Sequence, residues 1–172
     1  PEDEGTEIVP TSRHTYSGRR VTGVAGKKNF TVIFLEKSLM NAEIGFTYRV
    51  LAVFLKHGIS FEHIPTGIDT MSFVVDSAIL KNGVLEEVCA EIQENVRPDN
   101  LRIINDIALI AVVGHGMARS VGTSARLFEA IARAGVNVRK IDQASSELNI
   151  IVGVDNENYE RTLKAVYDEF FE

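Results

Sequence analysis

The chain has 172 residues, 45% of them apolar, and a formal net charge of −6, so it can bury a hydrophobic core and is poorly suited to bind nucleic acid or an anionic membrane surface. No apolar run approaches the roughly 18 residues of a membrane span. The single cysteine, Cys89, permits no internal disulfide and indicates a reducing cytoplasm, and four histidines without metal-ligand spacing predict no metal site.

Residues 1–19 are polar, with threonine, serine and glycine among charged residues, and they start with Pro1 instead of methionine. This composition predicts a linker without structure of its own. We therefore expect the chain to be a fragment of a longer protein, in which residues 1–19 form the link to a preceding domain.

The segment from Phe30 to Asp76 is repeated from Ile107 to Gly153. The offset between the copies is 77 residues and holds without a gap, with apolar residues facing apolar ones almost throughout. A register that holds over this length indicates two copies of one supersecondary unit.

Each copy predicts the order β-α-β-β-α. A buried strand is followed by a loop, an amphipathic helix that ends at Gly58 or Gly135, two further strands and a second amphipathic helix. The predicted strands are Phe30–Leu35, Ile59–Pro65 and Met71–Asp76 in the first copy, and Ile107–Val113, Val136–Gln143 and Leu148–Val154 in the second.

This order calls for one more strand per copy, which would complete a ferredoxin-like sandwich. The first copy has this strand at Leu101–Ile104, but the chain ends directly after the last helix of the second copy. An unassigned strand at Val21–Ala25 would complete the second sheet. The sequence therefore predicts an α+β fold of two ferredoxin-like βαββαβ sandwiches, the first (residues 27–104) inserted within the second (residues 20–26 plus 105–172).

The loops before the first helix of each copy, Ser38–Thr47 and His115–Ser124, are the candidate ligand sites. Gly45 and Gly122 let the backbone approach a ligand closely, and free amides at a helix start favour a carboxylate. Met40 and Met117, at matching positions, would supply an adaptable apolar wall. Alternatively, these glycines serve only the turn.

The copies differ in charge around these loops. The first has Glu43, Glu62 and Asp69 where the second has Ser120, Arg139 and Ser146. Carboxylates suit a ligand with an extra ammonium group, whereas the polar residues of the second copy suit a neutral polar ligand or none. A solvated face is the alternative for all of them. Strand alternation predicts that Phe61 and Val138 belong to the core.

Four stretches together resemble the C-terminal regulatory region of an aspartokinase: Val21–Thr31, Phe61–Asp69, Ala108–Met117 and Gln143–Glu147. The leading Pro1–Thr6 resembles the exit from the kinase domain, so the resemblance covers essentially the whole chain. It implies two ACT domains in the inserted arrangement, and inhibition of the enzyme by lysine or threonine, end products of the aspartate pathway. The Lys-Phe-Gly-Gly motif of the kinase domain is absent. We therefore expect no catalytic residue and no cofactor in this fragment; ATP and Mg²⁺ would serve only the missing kinase domain.

The resemblance also implies an effector pocket in the first ACT domain. The matching positions are Met40, Glu43, Gly45, Phe46, Thr47, Ser60, Phe61, Glu62 and Asp69. Lysine-sensitive members commonly have serine where this chain has Glu43, and aspartate where it has Glu62, which leaves the effector open between lysine, the favoured one, and threonine or both. A second possible effector site comprises Met117, Ser120, Gly122, Asn137 and Val138; in threonine-responsive members the position of the last two makes contacts across an interface.

The order βαββαβ also occurs in RNA-binding domains and metal chaperones. The negative charge and the isoleucines of the Leu101–Ile104 strand argue against RNA, and the single cysteine argues against a metal chaperone. A purely structural dimerisation module without a ligand is the remaining alternative. In either case we expect a homodimer through the ACT domains, because small two-layer units leave edge strands and apolar helix faces that a second copy covers.

Overall fold

The computed structural model describes residues 20–172; residues 1–19, and with them the predicted linker, lie outside the described part. Five strands and four helices follow one another over residues 20–172. They are β1 (Gly23–Glu36), α1 (Phe46–Lys56), β2 (Thr70–Asp76), α2 (Val84–Asn95), β3 (Asn100–Val113), α3 (Thr123–Arg133), β4 (Lys140–Gln143), β5 (Asn149–Asp155) and α4 (Tyr159–Phe171). The α+β class and the ferredoxin-like order are confirmed.

The strands form one antiparallel sheet in the order β2-β1-β3-β5-β4. The two central strands, β1 and β3, each have 14 residues and pair along most of their length. The prediction of four separate short strands in these two regions was wrong, because each long strand continues through a β-bulge. The bulges contain Asn29 (φ 69°) and Asp106 (φ 59°), which are 77 residues apart and belong to the residue types that best tolerate positive φ.

Each end of the β1–β3 pair belongs to a different half of the sheet. Residues 30–36 of β1 pair with β2 and with residues 100–107 of β3, which gives the first half. Residues 23–27 of β1 pair with residues 109–113 of β3, which in turn pair with β5, and this gives the second half. This is the pairing that an inserted arrangement requires. The proposed domain boundaries fall inside β1 and β3, and the division into two domains stays a prediction.

Each half has its own hydrophobic core against its two helices. In the first half, α1 and α2 pack on β1 and β2 around Ile33, Phe54 and Phe73; in the second half, α3 and α4 pack on β3 and β5 around Ile110 and Leu127. Alternate residues of the same strands face the other side of the sheet. There they form a third cluster without helices, which consists of Phe30, Val32, Val74, Ile107 and Leu109.

The second strand of each copy differs from its prediction. Ile59–Pro65 is not a regular strand: only single bridges join His63 to Val74 and Thr66 to Met71, because Pro65 has no amide to donate and the chain turns at Gly67, whose N–H donates to Thr70 O at 2.8 Å. The equivalent β4 has only four residues. Phe61 is consequently 38% exposed, and the prediction that it lies in the core was wrong, although its ring packs edge-on against Phe54 and Phe73.

The residues just before β1 are packed against the end of β3. Val21 is 2% exposed within the core of the second half, and Thr22 N donates to Val113 O at 2.8 Å. A Cβ at Gly114 would lie 2.2 Å from the Arg20 carbonyl oxygen and 2.9 Å from Cα of Val21. Only glycine therefore fits where these two backbone segments meet.

We predict that Gly114→Ala lowers the free energy of unfolding by about 1–3 kcal/mol, because the added methyl group overpacks a backbone contact that no rotamer change relieves. Urea unfolding of the 172-residue chain measures this. Gly23→Ala is the matched control, since its Cβ would meet only the Val113 Cγ2 atom at 3.2 Å. Equal stability of the two variants would contradict the packing of residues 20 and 21 against the end of β3.

Candidate functional site

The loop before α1 begins with a 3₁₀ turn at Met40–Ala42 and ends at Gly45, which has φ 80° and directly precedes the helix. No side chain caps this helix start, and its first turn contains no acidic residue. The first amides of a helix carry a partial positive charge and have no partner within the helix. Phe46 N already donates to Glu43 O at 3.2 Å, so the amides that follow it in the first turn are the ones suited to a carboxylate from outside the loop.

The loop before α3 repeats this geometry with different contacts to the rest of the chain. Gly122 has φ 91° and precedes a helix that also lacks a side-chain cap. Here, however, a carboxylate oxygen of Glu147 accepts from Arg119 N at 2.6 Å, and the Arg20 guanidinium donates to Val121 O at 3.1 Å. In the first loop, the comparable carboxylate contact lies before the 3₁₀ turn, where Asp99 accepts from Ser38 N at 2.7 Å. The Arg49 guanidinium donates to Ile44 O at 3.5 Å, at the position equivalent to Val121.

The predicted site residues differ in exposure, and the side chains of three of them face the core instead of the loops. Met40, Phe46 and Met117 are 8%, 1% and 4% exposed, and their side chains belong to the two cores. Thr47, Ser60 and Asn137 are exposed, and Val138 is half-buried against the core of the second half. Ser120 N donates to Met117 O at 2.9 Å and so closes the 3₁₀ turn of the second loop.

A shallow cavity beside the first loop carries charges of both signs. Glu43 forms an ion pair with Arg49, one turn into α1. These two side chains line the cavity together with Lys37 and with residues 94–97 at the end of α2, among them Glu94 and Arg97. These basic residues lie outside the predicted site. Arg49 has a visible signal, since it follows Gly45 by one helical turn, but Lys37 and Arg97 come from distant parts of the chain.

Most of the segment Ser60–Asp69 lies on a different part of the surface from the first loop. Glu62 N donates to Val74 O at 2.8 Å, and the Glu62 side chain lines a crevice on the helix-free side of the sheet, together with Lys27 and His63. The pKa of Lys27 is raised, chiefly by its hydrogen bond with Asp76 and further by the charge of Glu62. Glu43 and Glu62, which the sequence places in one pocket, thus line different cavities of a single chain.

Asp69 is the part of this segment that reaches the first loop. Its carbonyl oxygen accepts from Lys37 N at 2.9 Å. Because Lys37 also lines the cavity beside Glu43, this bond joins the start of the loop to the end of Ser60–Asp69. The structure therefore brings Asp69 toward the loop through the backbone.

Large apolar side chains are exposed along the first loop and α1. Ile44 is 97% exposed, Tyr48 74% and Leu55 81%, and their spacing places them on one face of the helix and the turn before it. Val121, the counterpart of Ile44 in the second loop, is 91% exposed. Apolar side chains grouped in this way are typical of interaction surfaces.

Within residues 20–172, no group of three or more His, Cys, Asp or Glu side chains is placed to hold a metal ion. In the same range, the helices are too short or too polar to cross a lipid bilayer.

A family model described as an ACT domain matches residues 110–170. The chain is 36% identical over 171 residues to aspartokinase 3 of Bacillus subtilis, which covers 99% of the chain and 37% of the relative. The crystal structure of Clostridium acetobutylicum aspartate kinase, described as an allosteric enzyme, matches 99% of the chain with a TM-score of 0.92 and 42% identity, over 39% of its own length.

The regulatory subunit of aspartate kinase from Thermus thermophilus, in its ligand-free form, matches over nearly its whole length. It covers 90% of this chain and 99% of its own, with a TM-score of 0.73 and 26% identity. By contrast, the chain spans less than two fifths of the length of the Bacillus and Clostridium enzymes.

We predict that Gly45→Ala lowers the free energy of unfolding by about 1–2 kcal/mol, the cost of placing a Cβ in the left-handed region. The space around Gly45 is open, since an added Cβ would meet only Arg49 Nη1 at 3.8 Å, so the effect measures the backbone conformation alone. Gly45→Asn is the control and should cost less, because asparagine tolerates positive φ. Urea unfolding in which both variants equal the wild type would contradict the left-handed turn.

Proposed function

Because the chain belongs with the ACT-domain regulatory regions of the aspartokinases, we propose that it senses an end-product amino acid, lysine in the first place, for feedback inhibition of a kinase domain in a longer protein. The observation that carries the proposal is the start of α1. There a left-handed glycine leads into helix amides without a side-chain cap, next to a cavity lined by both cations and carboxylates. An amino acid is a zwitterion and needs both kinds of partner.

In this proposal the α-carboxylate of lysine binds the backbone amides around Gly45–Thr47. The ammonium groups bind strand carbonyls and the carboxylates of Glu43, Glu62 or Asp69. Charge-assisted hydrogen bonds of this kind contribute about 1.5–3 kcal/mol each. The ion pair between Glu43 and Arg49 leaves Glu62 and Asp69 as the less committed carboxylates.

We further propose that the complete pocket forms between two copies of the chain. Glu43 and Glu62 line different cavities of one chain, so a ligand that contacts both needs the loop of one copy and the Ser60–Asp69 segment of another. The exposed Ile44, Tyr48 and Leu55 beside the loop supply an apolar surface for such a contact. The dimer and its ligand would then depend on each other.

Binding would regulate the enzyme by shifting a dimer between two arrangements. A ligand shifts such an equilibrium only by the difference between its affinities for the two states. The kinase domain, which would hold ATP and Mg²⁺ and carry the catalytic residues, would sense that shift. We expect the enzyme to act in the cytoplasm.

Threonine, alone or with lysine, is the second candidate effector. It would bind the second loop through Ser120, Gly122 and Asn137, which offer neutral polar groups. The first loop is favoured as the main site because the cavity beside it is lined by both cations and carboxylates. A dimerisation module without a ligand is the candidate of a different class, and calorimetry with lysine and threonine distinguishes it from a sensor.

We predict that Glu62→Gln weakens lysine binding about tenfold or more, because the amide keeps the shape of the side chain but loses its charge. Isothermal titration calorimetry on the 172-residue chain measures the affinity. Glu160→Gln is the control: it removes a carboxylate of α4 that pairs only with Lys28 among the residues described, and it should leave binding unchanged. Unchanged lysine binding by Glu62→Gln, or binding of threonine with no response to lysine, would refute the assignment.

We predict a homodimer that Ile44→Glu weakens at least tenfold, since a charge would be buried in the apolar contact beside the loop. Sedimentation equilibrium with and without lysine measures the association. Val121→Glu, the same change in the equivalent exposed residue of the second loop, should leave the dimer intact. A monomeric wild type at micromolar concentration would contradict the dimer, and equal effects of the two variants would contradict its placement at the first loop.

A further inference from the structure

Two crevices lie on the helix-free side of the sheet, and the 77-residue repeat relates them. The first crevice contains Val32, Phe34, Ile104 and Ile107 on its floor and Lys140 at its wall. The second crevice contains residues equivalent to all five of these, and His63 takes the place of Lys140. The Lys140 ammonium group and Nε2 of His63 are in hydrogen-bond contact, so these two side chains separate the crevices.

The first crevice has the size and lining of a small-molecule site. Its volume is about 430 Å³, within the range of ligand pockets in proteins. Four apolar side chains from the two central strands form the floor, while the hydroxyl groups of Thr70 and Ser72 and the cations Arg139 and Lys140 lie around it. The floor comes from the first half of the sheet and the wall at Arg139–Ile141 from the second, so one chain provides the whole crevice.

Lys140 is a half-buried cation without an anionic partner. Burial lowers the pKa of Lys140 to about 8, against the opposing effect of Asp142. Within residues 20–172, no carboxylate lies at ion-pair distance from the Lys140 ammonium group, whereas Arg139 Nη1 reaches Asp155 Oδ1 at 2.6 Å. At neutral pH the ammonium is still largely charged, and its incomplete hydration is unfavourable. An anion in the crevice would relieve this cost.

The second crevice lacks this combination. Lys27 replaces Ile104 on its floor, and that cation pairs with Asp76 at 2.7 Å. Glu62 replaces Arg139, so a carboxylate already lies beside His63 and Lys27. The apolar floor is interrupted and the charges have partners within the chain. The comparison of the two crevices therefore isolates Lys140 above an apolar floor as the distinguishing feature of the first.

We infer that the first crevice is a further binding site, which takes a small aliphatic or aromatic monocarboxylate without an ammonium group. The carboxylate would bind Lys140, and the apolar body would lie on Val32, Phe34 and Ile107. An ammonium group would be repelled by Lys140 and Arg139, which distinguishes this ligand from an amino-acid effector at the first loop. Inorganic phosphate would gain the charge contact but lose the apolar one.

The site would connect the two halves of the sheet. Thr66 and Gly67, from the segment that also contains Glu62, line the crevice together with Lys140 and Ile141 of β4. A bound carboxylate would contact both, and would thereby hold that segment in one position relative to β4. By linkage, such a ligand would change the affinity for any effector that uses Glu62, and the effector would change its affinity by the same factor.

The test uses hexanoate as the probe, with hexan-1-ol, hexylamine and inorganic phosphate as comparisons. Binding is followed by ¹H–¹⁵N correlation NMR titrations of the wild-type chain. We expect saturable shifts of the amides of Ile104, Ile107 and Lys140 with hexanoate, and at least tenfold weaker binding of the other three. The outcome that overturns the proposal is equal binding of hexanoate and hexan-1-ol, or hexanoate shifts confined to Gly45–Thr47. This comparison needs no variant and does not depend on lysine binding.

Two variants locate the charge. Lys140→Met keeps the aliphatic stem and should weaken hexanoate at least tenfold, while Lys27→Met removes the cation on the floor of the second crevice and should leave the affinity within twofold of the wild type. Equal affinities of Lys140→Met and the wild type would refute the role of Lys140. Titration of Glu62→Gln with hexanoate separates this proposal from the effector proposal, since that variant should lose lysine binding and keep hexanoate binding.

Discussion

The antiparallel pairing of β1 with β3 is the interaction on which the rest of the structure depends. Each of the two strands runs through both halves of the sheet, so the two halves share β1 and β3. The bulges at Asn29 in β1 and Asp106 in β3 let each strand bend between the two halves of the sheet while the strands stay paired. The helices, the loops at their starts and the crevices on the opposite face all take their positions from this ribbon.

Much of the fold could be predicted from the sequence because its signals are local. The helices follow from apolar spacing and terminal glycines, and the repeat fixed their equivalence. The fusion of short strands into β1 and β3 could not be predicted, since the polar residues Lys27–Asn29 look like a strand end unless the partner strand is known. The irregular course of Ile59–Pro65 also depends on tertiary structure, because an edge segment with Pro65 and Gly67 keeps only the bridges that its neighbour allows.

The candidate site shows the same division between local and distant information. The left-handed Gly45 and the uncapped start of α1 follow from a short stretch of sequence, as the loop prediction required. The positions of the carboxylates do not follow from a short stretch of sequence. Glu62 lines a crevice formed by both halves of the sheet, while Glu43 forms an ion pair with Arg49. Lys140 was outside every predicted site, and its significance depends on burial and on the absence of an anionic partner in the described part of the chain.

The pairing of Gly23 with Val113 also bears on how the chain folds during synthesis. The start of β1 leaves the ribosome long before its partner, residues 109–113 of β3, whereas residues 30–36, α1, β2 and α2 are all complete before β3. Contacts between residues far apart in sequence form late, because closing a long loop costs chain entropy. Residues 30–36 can therefore pair with β2 while residues 23–27 still have an unpaired edge, and the last helix, α4, is required before the second core can close.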